Sequence, residues 1–188
     1  MEAENVRYTV ERYEADVPVE EYMEACVDVP TFLECCKQCG NYGKVWSCPS
    51  YDFEPEDYWR KYGNLHLIGV KICFPTEMTE KTYKKEELDT LVQETLWAEK
   101  KKLSEELMEM EQENPGSVSL SAGSCLNCKQ CARLTGEPCR FPDKMRYSIE
   151  SIGGNVGLTV TKYLKQELIW MEEGRLPEHF ILVCGLLS

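Results

Sequence analysis

Apolar residues along the chain fall into two rhythms. Leu65–Phe74 and Phe180–Leu187 are nearly continuous apolar runs of strand length, the first ended by Pro75, and both predict buried β-strands. Val6–Val10 alternates apolar and polar residues, the pattern of a half-buried strand, and Val118–Leu120 predicts a short one. Elsewhere the period lengthens to three and four. Leu88, Leu91, Val92, Leu96, Leu103 and Leu107 predict a long amphipathic helix that Asn114-Pro115-Gly116 terminates. Its other face, with Lys100, Lys101, Lys102, Glu105 and Glu106, reads as solvated. Asp16-Val17-Pro18 opens a short helix through about Cys26, and Glu54-Pro55-Glu56 opens another that Gly63 stops. A further helix is predicted over Leu158–Glu173, with Gly174 just past its end. Together these elements predict an α/β fold, with α+β as the alternative: a small sandwich of about four strands with packed helices.

At 188 residues, the chain is long enough for one hydrophobic core, so residues 1–188 are read as a single domain. No stretch approaches the ~20 apolar residues of a membrane span. The acidic start, Met1-Glu2-Ala3-Glu4, lacks the basic and apolar segments of a secretory signal, and the expectation is a cytoplasmic protein. A formal net charge of −12 argues against a nucleic-acid partner; small electron carriers use such a field to choose basic partners, and it serves solubility equally.

Cysteine usage changes the picture most. Seven of eleven cysteines lie in two groups: Cys36-x2-Cys39-x8-Cys48-Pro49, and Cys125-x2-Cys128-x2-Cys131-x7-Cys139. In a reducing compartment such thiols are available for metals rather than disulfides. A pair two residues apart can turn both thiolates toward one centre. The run Cys-x2-Cys-x2-Cys matches the loops that wrap a [4Fe–4S] cube, whereas zinc sites space their two pairs more widely. Cys125, Cys128, Cys131 and Cys139 therefore predict a [4Fe–4S] cluster, with zinc as the alternative. Gly123 and Gly136-Glu137-Pro138 supply the turns, and Arg140 can donate to a cluster sulfur.

Cys36, Cys39 and Cys48 predict a second metal site, so that the chain holds one or two clusters. The fourth ligand here is Cys26, Cys35 or none. Cys26 is favoured because Cys35 adjoins Cys36 and neighbouring residues rarely face one metal. A crossed arrangement is the other possibility, since Cys48-Pro49 has the form of a ligand shared with a second cluster. The two metal loops span about residues 34–50 and 123–142. Tyr42 and Trp46 either shield a cluster or pack the first loop.

Cys73 and Cys184 sit within apolar strand runs and read as buried small hydrophobes. His66 and His179 read as structural or exposed. Gly153-Gly154-Asn155-Val156-Gly157 lacks the full dinucleotide pattern and reads as a turn or helix start. No nucleophile elbow or Ser-His-Asp set is present.

Two long motifs carry a family resemblance. Cys36-Lys37-Gln38-Cys39-Gly40-Asn41-Tyr42-Gly43-Lys44-Val45-Trp46-Ser47-Cys48-Pro49 resembles the first signature of the predicted metal-binding proteins grouped as domain of unknown function 2284. Cys125-Leu126-Asn127-Cys128-Lys129-Gln130-Cys131, then Gly136-Glu137-Pro138-Cys139-Arg140-Phe141-Pro142, resembles the second, and Ser148–Gly153 matches the stretch that follows. Ser50 stands where the family often has a second proline. The resemblance implies that the cysteines bind metal, and it supplies neither substrate nor reaction.

Three functional expectations follow. The first is an iron–sulfur protein that transfers single electrons to a redox partner protein. A variant of it is an enzyme in which Cys36, Cys39 and Cys48 alone hold a cube with an open iron. The third, of a different class, is a zinc-tied structural or interaction module.

Overall fold

The computed structural model describes residues 8–188. Four strands form one antiparallel sheet in the order β1-β2-β4-β3, comprising β1 (Thr9–Pro18), β2 (Asn64–Cys73), β3 (Val118–Leu120) and β4 (His179–Leu187). The class is therefore mixed α and β, in its antiparallel form. The two central strands are the two long apolar runs, because a strand covered on both faces must be apolar at successive positions. Odd-numbered Leu65, Leu67, Val183 and Leu187 point to one core, and even-numbered Ile68, Ile72, Leu182 and Cys184 to the other.

The first core is closed by α1 (Val19–Cys26), α3 (Pro55–Trp59) and α7 (Val156–Lys162), through Tyr22, Trp59 and Val160. Trp59 is fully buried and its indole N–H donates 2.9 Å to the carbonyl of Ile152, so its one polar atom is satisfied. The second core is closed by the long helical run α5 (Lys85–Val92), a π-helical turn over Gln93–Trp97, and α6 (Ala98–Glu113). Leu88, Leu103 and Leu107 supply its buried stripe, each worth about 1.5–3 kcal/mol of burial. The remaining α-helices among the described residues are α2 (Val29–Gln38) and the one-turn α4 (Thr76–Thr79).

Three expectations need correction. The opening strand begins at Thr9 and runs to Pro18, since its register follows all ten residues of β2. Val6 and Arg7 lie outside the described residues, and Val10 is exposed because β1 is an edge strand. The predicted helix over Leu158–Glu173 is the seven-residue α7. It ends where Leu164 turns into the core and Lys165 takes a left-handed φ of 55°. Gly174, at φ 74°, serves the Glu172–Arg175 turn rather than a helix end. Finally, the segment read as the start of the first cysteine loop is helical: α2 carries Cys35 and Cys36. Asp28 caps it by accepting the Thr31 N–H at 3.1 Å, with Pro30 in the first turn, and Asp-x-Pro-Thr was the available signal.

The base of α2 is fixed by a close backbone approach. Asp28 N–H donates 2.8 Å to the carbonyl of Gly153, whose φ is 89°. A Cβ on Gly153 would lie 2.5 Å from Val29 Cγ2 and 2.8 Å from its Cα, so only glycine fits.

Candidate metal centre

The second cysteine loop leaves the edge strand β3 and returns to it. Ser121 N–H donates 2.8 Å to Tyr147 O, closing the loop at its base. Glu111, at the end of α6, clamps the same base by accepting the Ser119 N–H at 2.6 Å and the Arg146 Nε–H at 2.7 Å. Burial pulls the Glu111 carboxyl upward, but the hydrogen bonds from Arg146 and Ser119 more than offset it, and the pKa lies below its ordinary value. Within the loop, a 3-10 turn at Ala132–Thr135 ends on Gly136 at φ 71°, which reverses the chain toward Cys139.

That path brings Cys125, Cys128, Cys131 and Cys139 to the wall of one small cavity, which Val45, Trp46, Ser47, Asn127 and Met145 complete. All four thiols are half-buried. The Cys125 pKa is raised, first by burial and then by the neighbouring Cys139, Cys128 and Cys131, against a lowering hydrogen bond from the Asn127 N–H. Among the described residues, no three Cys, His, Asp or Glu side chains form a ready-made group for a single metal ion. The four thiols border shared space.

The first group begins at the end of α2 and continues through consecutive turns. Cys39 N–H donates 3.0 Å to Cys36 O, Cys48 N–H 3.0 Å to Val45 O, and Gly43 N–H 2.7 Å to Pro49 O. Burial, followed by the charges of Cys48 and Cys39, pushes the Cys36 thiol up to about 11. Cys48 is raised by burial and then by Cys39 and Cys125, against Ser47 and Arg133. Cys36 and Cys48 are half-buried and Cys39 is exposed, and none of the three lines the cavity of the second group.

The two loops are stitched together. Arg133 donates from Nη1 to Val45 O (3.0 Å) and Cys48 O (2.6 Å), and from Nη2 to Ser50 O (2.6 Å). Its guanidinium also lies 5.0 Å from the centre of the Trp46 ring. Trp46 Nε1–H donates 3.0 Å to Glu137 O. Ser47, 1% exposed, accepts the Cys125 N–H on its Oγ at 3.0 Å. Each of these contacts links residues of different loops.

The other predicted candidates fall elsewhere. Cys26 lies in the first core, 3% exposed, where burial raises its pKa and a hydrogen bond with Thr159 opposes the rise. Tyr22 and Val160 belong to the same core. Cys35 is exposed on α2 beside Cys36. Cys184 is buried, whereas Cys73, near the end of β2, is half-buried. Arg140 donates 2.8 Å to Gln130 O and so braces the loop backbone. His66 bonds to Asp16 at 2.7 Å and His179 to Glu167 O at 2.9 Å, both structural.

Two charged residues join the site that sequence patterning misses. Lys100, assigned to the solvated face of its helix, donates 2.6 Å to the carbonyl of Ser124, next to Cys125. Burial lowers its pKa, against the raising influence of Cys184 and Cys125. Glu150 has a carboxylate oxygen, Oε2, out of solvent and without a hydrogen-bond partner among the described residues. Burial raises its pKa, and its charge reaches Cys36 and Cys184.

No curated protein and no solved structure matches the chain. One family model does match, over residues 22–183, a span that contains both cysteine groups and all the stitching residues. The chain belongs to the family described as predicted metal-binding protein (DUF2284).

Proposed function

We propose that the chain is a single-domain iron–sulfur protein that passes single electrons to a partner protein in the cytoplasm. In this reading Cys125, Cys128, Cys131 and Cys139 hold one [4Fe–4S] cluster, and Cys36, Cys39 and Cys48 hold a second where two are present. The observation that carries it is the meeting of four half-buried thiols, from a Cys-x2-Cys-x2-Cys run, at one cavity. The donor set suits the group. Cys125, Cys36 and Cys48, whose thiol pKa values burial and neighbouring cysteines raise, gain when a cationic iron centre replaces their protons.

A bound cluster supplies reversible one-electron chemistry. The chain's own residues orient and enclose it. Trp46, tied to Glu137, forms one wall of the cavity and excludes water. Arg133 holds the two loops in register, and Ser47 fixes the backbone of Cys125. Lys100 sets a positive charge behind Cys125 and raises the potential of the site. The net charge of −12 favours a partner with a basic face.

An anaerobic redox titration followed by EPR tests this function. The expected result is a reversible one-electron step, tenfold in the reduced-to-oxidised ratio per ~59 mV. A protein that cannot be reduced and reoxidised reversibly would not be an electron carrier. The burial of Cys26 in the core favours a second reading, in which the first group offers only Cys36, Cys39 and Cys48 and an open iron binds a substrate. A small ligand that perturbs the EPR spectrum would then identify that site.

A further inference from the structure

A cavity of about 670 Å³ lies between α6 and the second cysteine loop, with Cys125 in its wall. That size is within the range of about 300–1,000 Å³ for small-molecule sites. Trp97, Met108 and Leu126 give it an apolar lining. Four cations, Lys100, Lys101, Lys144 and Arg146, border it in a chain whose formal net charge is −12. They are not equivalent. Arg146 is committed to Glu111, and Lys101 lies 3.9 Å from Glu105, itself a lining residue. Neither Lys100 nor Lys144 has an ion-pair partner among the described residues. Lys100 spends one of its three donors on Ser124 O, and its ammonium lies 5.9 Å from the centre of the Trp97 ring. One further carboxylate, Glu109, lines the cavity.

We propose that this cavity binds a small organic carboxylate, with Lys100 and Lys144 receiving the carboxylate and Trp97, Met108 and Leu126 taking its apolar body. An ammonium desolvated against an indole, with donors to spare, gains most from an anion that brings its own hydrogen-bond acceptors. The apolar lining disfavours inorganic phosphate, which has no surface to bury there. Because Cys125 borders the cavity, the carboxylate lies beside the metal-binding thiols. Its placement at a redox centre rests on the function proposed above, while its binding does not.

The test is calorimetric titration of the anaerobically purified protein with benzoate, 3-phenylpropionate and octanoate, each beside its neutral amide. At least one acid is expected to bind saturably, about fivefold or more tighter than its amide. Lys144→Glu, on an exposed residue, is expected to weaken that binding by about fivefold or more, and Lys61→Glu, outside the cavity, to leave it unchanged. Leu126→Asp, also exposed, is expected to weaken it as well. Three results would each overturn the inference: no saturable binding up to about 10 mM, acids and amides binding alike, or Lys144→Glu binding like the parent. Iron and zinc are assayed on the same samples. A zinc protein that still binds the acid would refute the redox function and keep this site, and an iron–sulfur protein that binds no acid would do the reverse.

Discussion

Arg133 Nη1, in the second cysteine loop, donates 2.6 Å to the carbonyl of Cys48, in the first. With the bonds to Val45 and Ser50, one guanidinium binds three carbonyls of the loop that delivers Cys48. The two metal loops are therefore one mechanical unit. Ser47, next to Cys48, adds a bond from the Cys125 N–H across the same seam.

Arg133→Ala should consequently release metal from both groups while the sheet and its two cores stay folded. A hydrogen bond from a charged donor contributes about 1.5–3 kcal/mol, more than the neutral bonds that Trp46 and Ser47 make between the same loops. Arg133→Lys should rescue little, because an ammonium lacks the planar fork that reaches three acceptors. Metal content per protein, read beside far-UV circular dichroism, checks both variants. Full metal in Arg133→Ala would show that the clasp is dispensable.

How much of this site was legible beforehand depends on range in sequence. The meeting of Cys125, Cys128, Cys131 and Cys139 at one cavity could be read because all four fall within one short loop. The central strands could be read because burial on both faces leaves a continuous apolar run. Ser47 carries no such signal: its partner, the Cys125 N–H, is 78 residues away. Lys100 sat in a run of three lysines that resembles any solvated helix face. Sequence favours Cys26 as a fourth ligand because Cys35 adjoins Cys36, and it does not show that Tyr22 bonds to Thr159 or that the end of α1 buries Cys26 in the core. The helix expected beyond Lys162 was lost to Leu164, whose burial outweighs the helical propensity of the residues after it.

The cysteines should divide cleanly on substitution. Cys128→Ser is expected to lose the metal of the second group. Cys26→Ala, Cys73→Ala and Cys184→Ala should keep their metal and cost about 1–3 kcal/mol or less through lost packing. Iron assays combined with urea denaturation distinguish the two classes. Loss of metal from folded Cys26→Ala would make Cys26 a ligand after all.

Glu111 should make the protein sensitive to acid. Its folded pKa lies below the ordinary carboxylate value, held there by Arg146 and Ser119 against the opposing effect of burial. The stabilisation is thus fully present above the unfolded value of about 4.3 and is lost as pH falls through the lower folded value. Glu111→Gln should be less stable by about 2 kcal/mol at pH 7 and show a flatter loss of stability below about pH 4. Urea denaturation across pH for parent and variant measures both. Parallel curves would mean that the Glu111 charge contributes nothing.

The proposed function requires that Cys125, Cys128, Cys131 and Cys139 hold iron and sulfide. The direct measurement is anaerobic purification followed by iron, zinc and acid-labile sulfide analysis with a visible spectrum. Iron and sulfide in equal amounts, about four of each per cluster, with broad absorption near ~400 nm are the expected result. A colourless protein carrying stoichiometric zinc and no sulfide would contradict it.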